Sequence, residues 1–338
     1  MSFKTLFNVA VAILLVCCES ALYAKITLPA LFSDGMVLQQ QTSLPIWGLS
    51  DQGRVEVTAS WNQQTYTAST DDRGAWRVEV KTPLAGGPFT LALHDGEARM
   101  VITDVFVGEV WLASGQSNMA MPIAGMPNQP VINSERLTAT AGNQLIRFFQ
   151  VPVGQSAVPL WDCEARWDTP DTASVPKFSA VAYQFALQLQ ERLGVPVGII
   201  QSAYGGTKVE AWMDAEALRQ IPELASNGNT GKITKNMPGV LFNAMINPLV
   251  GYGIKGVIWY QGEGNRSTAD RYADWMHKMI AGWRARWARG RFPFYYVQIA
   301  PFAYDGRNQS AYLREAQLDA LKIIPNAGMV VTMDVGSK

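Results

Sequence analysis

Residues 108–121 read GEVWLASGQSNMAM. Apolar side chains follow one another from Val110 to Ala113, and the run stops at Gly115-Gln116-Ser117-Asn118-Met119, a small polar knot with a hydroxyl at its centre. Successive side chains of a strand point to opposite sides, so an apolar run without alternation belongs to a strand covered on both faces. Five later stretches share that character: LIRFFQVP from 145, VPVGIIQSA from 195, IKGVIWYQ from 254, FPFYYVQIA from 292 and GMVVTMDV from 328. Helical periods separate most of them, as in FSAVAYQFALQLQERLG (178–194) and YADWMHKMIAGWRARWARG (272–290). Strands alternating with helices predict a parallel sheet sandwiched between helical layers, an α/β fold. In such sheets ligands sit beyond the carboxyl ends of the strands, where Ser117 falls.

The preceding residues follow another rhythm. RVEVTASW, QQTYTAST, AWRVEV and FTLALH alternate or carry β-branched and aromatic residues, and DQG, DDRG, AGGP and HDGE punctuate them. That pattern predicts a small β-sandwich over residues 25–104, followed by an α/β domain over residues 105–338. Residues 1–24 read as a signal peptide: Lys4 supplies the charge, Leu6 to Cys18 the apolar stretch, and ESALYA the small residues for cleavage after Ala24. The stretch is shorter than the roughly 20 residues a bilayer span requires. A secreted or periplasmic location is expected.

Of 338 residues, 48% are hydrophobic, enough for a large core in one or two domains. Lys plus Arg and Asp plus Glu are equal at 28 each, so no basic field points to nucleic acid and no acidic tail is present. The balance favours a neutral small molecule or sugar as partner. Eleven Trp and eleven Tyr offer faces for sugar rings, although core packing accounts for most aromatics. With Cys17 and Cys18 in the signal segment, Cys163 stands alone and has no disulfide partner.

Three polar loops follow three of the apolar runs. SGQSNM presents Ser117 on a turn, though Met119 stands where the G-x-S-x-G elbow needs glycine. SAYGGTKVEAW places Gly205 and Gly206 where backbone N–H groups can approach a bound group. Its Gly-Gly-Thr-Lys order does not fit a phosphate-binding P-loop, and a plain turn with Thr207 as a helix cap is the simpler alternative. WYQGEGN supplies the amides of Gln261 and Asn265, donors without charge that suit a transition-state oxyanion. Glu263 in the same loop would instead serve a glycosidase if a second carboxylate, Asp305 or Asp334, stood nearby.

LPALFSDGMVLQQ, GEVWLASGQSNM, SAYGGTKVEAWM, GVIWYQGEGN and LREAQ together resemble the sialate O-acetylesterase family, a branch of the SGNH hydrolases. The resemblance covers the chain from about Leu28 onward. It implies a flavodoxin-like three-layer α/β/α domain that removes acetyl groups from carbohydrate hydroxyls, without cofactor or metal. It makes Ser117 the nucleophile, with the N–H groups of Ser117 and Gly205 in the oxyanion hole. A third donor would come from Gln261 or Asn265, while Gln116, Asn118, Gly206 and Glu263 support the loops. The expected partner is an O-acetylated carbohydrate, with neither nucleic acid nor, after signal removal, membrane.

A serine hydroxyl needs a base. The resemblance supplies it from a D-x-H-P-like segment just after the last strand of the sheet, and the sequence, closing on VVTMDVGSK, is expected to stop short of that segment. His94 sits in LHDGE within the β unit and His277 inside a helix, and neither fits the role. Acetylated sialic acid and acetylated xylan both remain candidate substrates, and a glycan-binding protein without a base is the reading from another class.

Overall fold

The computed structural model describes residues 25–225, 232–302 and 309–334, so the signal segment and Asp305 lie outside the described residues. The first unit contains β1 (Val37–Gln39), β2 (Ser43–Leu49), β3 (Arg54–Ala59), β4 (Gln64–Ser69), β5 (Ala75–Lys81) and β6 (Gly86–His94), followed by β7 (Arg99–Gly115). β4, β3, β6 and the start of β7 form one antiparallel sheet, and β2 pairs with β5 in a second. Alternation places the core: in β5, Trp76, Val78 and Val80 are buried while Arg77 and Glu79 face out. β1 and β2 were not evident in the sequence. Val37–Gln39 is too short to alternate, and Pro45 interrupts β2, which tolerates proline because it lies in a two-stranded sheet rather than a sheet interior.

β7 runs straight through residue 104, so the two units share a strand. Its first half pairs with β6 as far as Val107, and its second half, from Glu109, lies beside β10 (Val197–Ala203). Asp104 sits at a positive φ of 54° where the strand passes from one unit to the other. The strand that ends at the Ser117 loop is therefore anchored in both cores.

After β7 come α1 (Ser117–Ala120), α2 (Ser134–Thr138), β8 (Ile146–Gln150), β9 (Trp167–Asp168), α3 (Ala180–Leu193) and β10. Then follow α4 (Ala215–Arg219), α5 (Pro222–Ala225), β11 (Gly256–Tyr260), α6 (Ala269–Trp287), β12 (Phe294–Val297), α7 (Gln309–Ile323) and β13 (Ala327–Val330). The sheet of the second unit runs β13-β12-β11-β7-β10-β8-β9, parallel except for β9 at one edge. The chain begins in the middle at β7, passes out to β8 and the edge strand β9, returns to β10 beside β7, then crosses to β11 and builds to the other side. β7 is thus the topological switch point, with β10 and β11 as its two neighbours.

Both faces of the central strands are covered, as the unalternating runs predict, whereas β13 at the edge has no fully buried residue. Trp111, Ala113, Ile199 and Ile258 pack on one side with Ala182, Tyr183 and Ala186 of α3. Val110, Leu112, Val257 and Trp259 face the other side, against Tyr272, Met276, Met279, Ile280 and Trp283 of α6. α3 starts where the Ser179 hydroxyl accepts the Ala182 N–H and stops at Gly194, whose φ of 66° suits glycine. Most tryptophans serve this core: Trp212, Trp259 and Trp283 are fully buried and meet edge to face. No helix among the described residues is long and apolar enough to cross a membrane.

Candidate active site

The register of the sheet brings the three polar loops to one level, because Gly115 pairs with Ala203 on one side and Tyr260 on the other. Close approach explains the glycine that precedes the serine. Gly115 has a φ of 139°, and a Cβ there would lie 2.2 Å from the Tyr260 carbonyl oxygen. Its own carbonyl accepts the Tyr204 N–H at 3.0 Å, and the Gln116 N–H donates to the Tyr260 carbonyl at 2.9 Å. So clamped, the chain turns into α1 with half-buried Ser117 as its first residue.

Gly205 stands against that residue: a Cβ on it would be 3.4 Å from the Ser117 Cβ and 4.0 Å from its nitrogen. Among the described residues, neither the Ser117 and Gly205 N–H groups nor the Ser117 hydroxyl has a hydrogen-bond partner. Two unmatched donors beside an unmatched hydroxyl form a place where a carbonyl oxygen can gain negative charge.

The third loop differs from the expectation placed on it. The Gln261 side-chain N–H groups go to the Thr207 carbonyl at 2.9 Å and to Asn265 Oδ1 at 2.8 Å, and its oxygen accepts the Tyr272 hydroxyl. Asn265 Oδ1 also accepts the Val209 N–H, and its Nδ2 donates to Glu210 Oε2 at 2.8 Å and to the Thr268 hydroxyl. Both residues are wholly buried. An amide carries two N–H donors, so neither side chain has one left for an oxyanion. Gln261 and Asn265 tie the third loop to the second, and the third donor assigned to this pair is absent from both. Gln116 does similar work, its side-chain oxygen accepting the N–H groups of Gly262 and Gly264. Gly264 has no room for a side chain, since a Cβ would meet the Thr207 carbonyl at 2.4 Å.

Asn118 donates to Glu263 Oε1 at 2.7 Å, linking the first and third loops, while Glu263 Oε2 is buried without a partner among the described residues. Burial pushes the Glu263 carboxyl up from its ordinary range, opposed by its own N–H, Arg266 and Asn118. Exposed Asp334, after the edge strand β13, follows a strand two places from β11, roughly 10 Å at the usual spacing, and Glu263 is turned towards Asn118 beside Ser117. Among the described residues Asp334 is thus not brought to Glu263 as a second carboxylate, and Asp305 lies outside them. Thr207 does not cap a helix; its hydroxyl donates to the Tyr204 carbonyl and accepts the Trp212 indole N–H.

Lys235 and Asn236 had no signal in the sequence, while Glu210 and Gln317 stood in quoted motifs without a role. Lys235 donates to the Gly205 carbonyl at 2.6 Å and Asn236 to that of Gly206 at 3.2 Å, from about thirty residues away. Glu210 holds Asn265, and Gln317 of LREAQ donates to the Gln261 backbone carbonyl while accepting the Ile299 N–H. The histidines lie elsewhere. His94 pairs with Arg99 at the far end of β7, roughly 50 Å along the strand from Gly115, and His277 is about 12 Å down α6 from the end nearest the third loop. Burial and neighbouring Asp162 push the Cys163 thiol up to about 12, which disfavours its reactive thiolate form.

Residues 107–338 match a family of carbohydrate esterases described as sialic acid-specific acetylesterase. The chain belongs to that family. Human sialate O-acetylesterase is 31% identical over 338 residues, covering 90% of this chain and 64% of that protein. The rat enzyme of the same name is 32% identical over 322 residues, covering 79% of this chain and 59% of that one. The chain therefore spans less than two-thirds of the length of these relatives. A carbohydrate acetylesterase from Xanthomonas citri, solved by crystallography, superposes with a TM-score of 0.83 at 35% identity over 93% of this chain and 70% of its own. The α/β fold and the preceding β unit are thus those of a carbohydrate esterase.

Proposed function

We propose that the chain carries the nucleophile and oxyanion half of a serine carbohydrate O-acetylesterase. One observation carries the reading: the Ser117 hydroxyl and the N–H groups of Ser117 and Gly205 lie on adjoining loops in close approach at the switch point, all unmatched among the described residues. The Ser117 oxygen attacks the acetyl carbonyl, whose oxygen takes up the developing charge against the two N–H groups, each worth about 3 kcal/mol in comparable sites. Collapse expels the sugar hydroxyl and leaves acetyl-Ser117, which water then hydrolyses. Gln116, Asn118, Glu263, Gln261 and Asn265 act by fixing the loops.

Neither histidine of the sequence is placed to take the Ser117 proton, so the base is sought outside the described residues, in an Asp-x-His segment following β13. Secretion through cleavage of residues 1–24, and division into a 25–104 β unit and a 105–338 esterase unit, belong to the same proposal. Acetylated sialic acid is the substrate named by the relatives, with acetylated xylan as the competing glycan. The test is acetate release from 9-O-acetyl-N-acetylneuraminate, acetylxylan and 4-nitrophenyl acetate, by residues 25–338 and by a chain extended through such a segment. Turnover only in the extended chain, lost again in Ser117→Ala, supports the proposal. The placement of both histidines favours one second reading, a glycan-binding protein without catalysis, and binding without acetate release from either chain would establish it.

A further inference from the structure

Half-buried Lys235 lies against the second loop, and among the described residues its ammonium is held without a counter-charge. It donates to the Gly205 carbonyl at 2.6 Å, lies 4.9 Å from the centre of the Tyr204 ring, and a Cβ on Gly206 would be 3.1 Å from it. The acids of this region are committed elsewhere: Glu210 to Asn265 and Lys208, Glu263 to Asn118. Among the described residues Lys235 forms no ion pair. An ammonium has three donors, and one carbonyl and one ring face leave capacity for an anion. Laid end to end, the Lys235–Gly205 and Gly205–Ser117 contacts place the ammonium within about 10 Å of the Ser117 Cβ. On the esterase reading the esterified hydroxyl lies at Ser117, and an anion that meets Lys235 is then within reach of the same sugar.

We infer that Lys235 is the specificity-determining residue of this site and reads the carboxylate of an acidic sugar while the acetyl group lies against Ser117. The inference rests on the proposed esterase reading for where the sugar sits. The chemistry recognised is a carboxylate on or next to a sugar ring, and it is shared by nine-carbon sialic acids and six-carbon uronic acids. The competing role is purely local, with Lys235 only bracing the Gly205–Gly206 turn. Such a brace is blind to ligand charge.

Titration of the whole chain with N-acetylneuraminic acid and its methyl ester, and with glucuronic acid and its methyl ester, separates the two roles, because each pair differs in charge and little else. At low salt the acid of one pair is expected to bind at least about ten times more tightly than its ester, as the loss of a charge-assisted hydrogen bond implies. The pair showing the preference identifies the sugar. Lys235→Met brings the ratio to about one, Lys235→Arg retains most of it, and added salt lowers it in the native chain. A ratio of one for both pairs in the native chain, a ratio unchanged in Lys235→Met, or no binding of all four sugars at millimolar concentration overturns the inference. None of these titrations requires turnover. Acid preference in a chain that releases no acetate would keep this role for Lys235 and discard the esterase reading.

Discussion

The first and third loops of the crevice are both small, polar and glycine-rich, and they treat their hydrogen bonds in opposite ways. At Ser117 and its neighbour Gly205, hydroxyl and N–H groups stand unmatched among the described residues. At Gln261 and Asn265, every side-chain N–H already has an acceptor and no surface is exposed. Motif residues that sit side by side thus divide into groups left open for a ligand and groups that hold the scaffold. Loss of an open group costs rate, whereas loss of a committed one leaves buried polar atoms unpaired and costs stability.

The largest effect should fall on the open side. Ser117→Ala is expected to lower kcat for aryl acetates by roughly four orders of magnitude or more in a chain with its base, with an unchanged melting temperature. Asn265→Ala should do the reverse. It unpairs the Val209 N–H, a Gln261 N–H and Glu210, so a loss of about 3 kcal/mol or more is expected in denaturant unfolding. Activity per folded molecule should change far less than in Ser117→Ala. A stable Asn265→Ala protein with a collapsed kcat would break the division.

Glu263 sharpens the comparison through pH. Its carboxyl is raised in the folded chain by burial, so the folded state holds the proton to higher pH than the unfolded chain, whose group titrates near 4.5. Folded stability therefore falls as pH rises from that value through the raised one. Glu263→Gln removes this dependence, and its melting temperature should gain on the native chain between acid and neutral pH. A difference that is flat with pH would mean the carboxylate is fully compensated by Asn118 and Arg266. The smallest effect belongs to Cys163: Cys163→Ser should leave acetate release unchanged, and thiol reagents near pH 8 should modify it slowly until the chain is unfolded.

Much of this architecture is legible in the sequence because the central sheet strands are buried on both faces and read as apolar runs. Strands β8, β10, β11 and β12 lie inside them and β13 starts one residue before its run, although β12 and β13 towards the edge are partly exposed. The span of β7 is not legible, because RMVITDV alternates as an exposed strand does and Asp104 interrupts it. The three loops announce themselves by composition, and β7 pairing brings them together. The roles of Gln261 and Asn265 could not be read, since an amide that donates to an oxyanion and one that donates to Thr207 or Glu210 look alike in one dimension. One acceptor of each lies more than fifty positions away. Lys235 escaped notice for the same reason, because its partner is the backbone oxygen of Gly205 and no motif surrounds it.

The central claim, that the open hydroxyl at the end of β7 is the nucleophile, is tested most directly by locating the acetyl group. The chain is incubated with 4-nitrophenyl acetate, quenched in acid and mapped by peptide mass spectrometry. The account predicts acetylation on the peptide bearing Ser117, absent in Ser117→Ala and retained in folded Asn265→Ala. Acetyl found on another residue, or persisting at that peptide in Ser117→Ala, would contradict it.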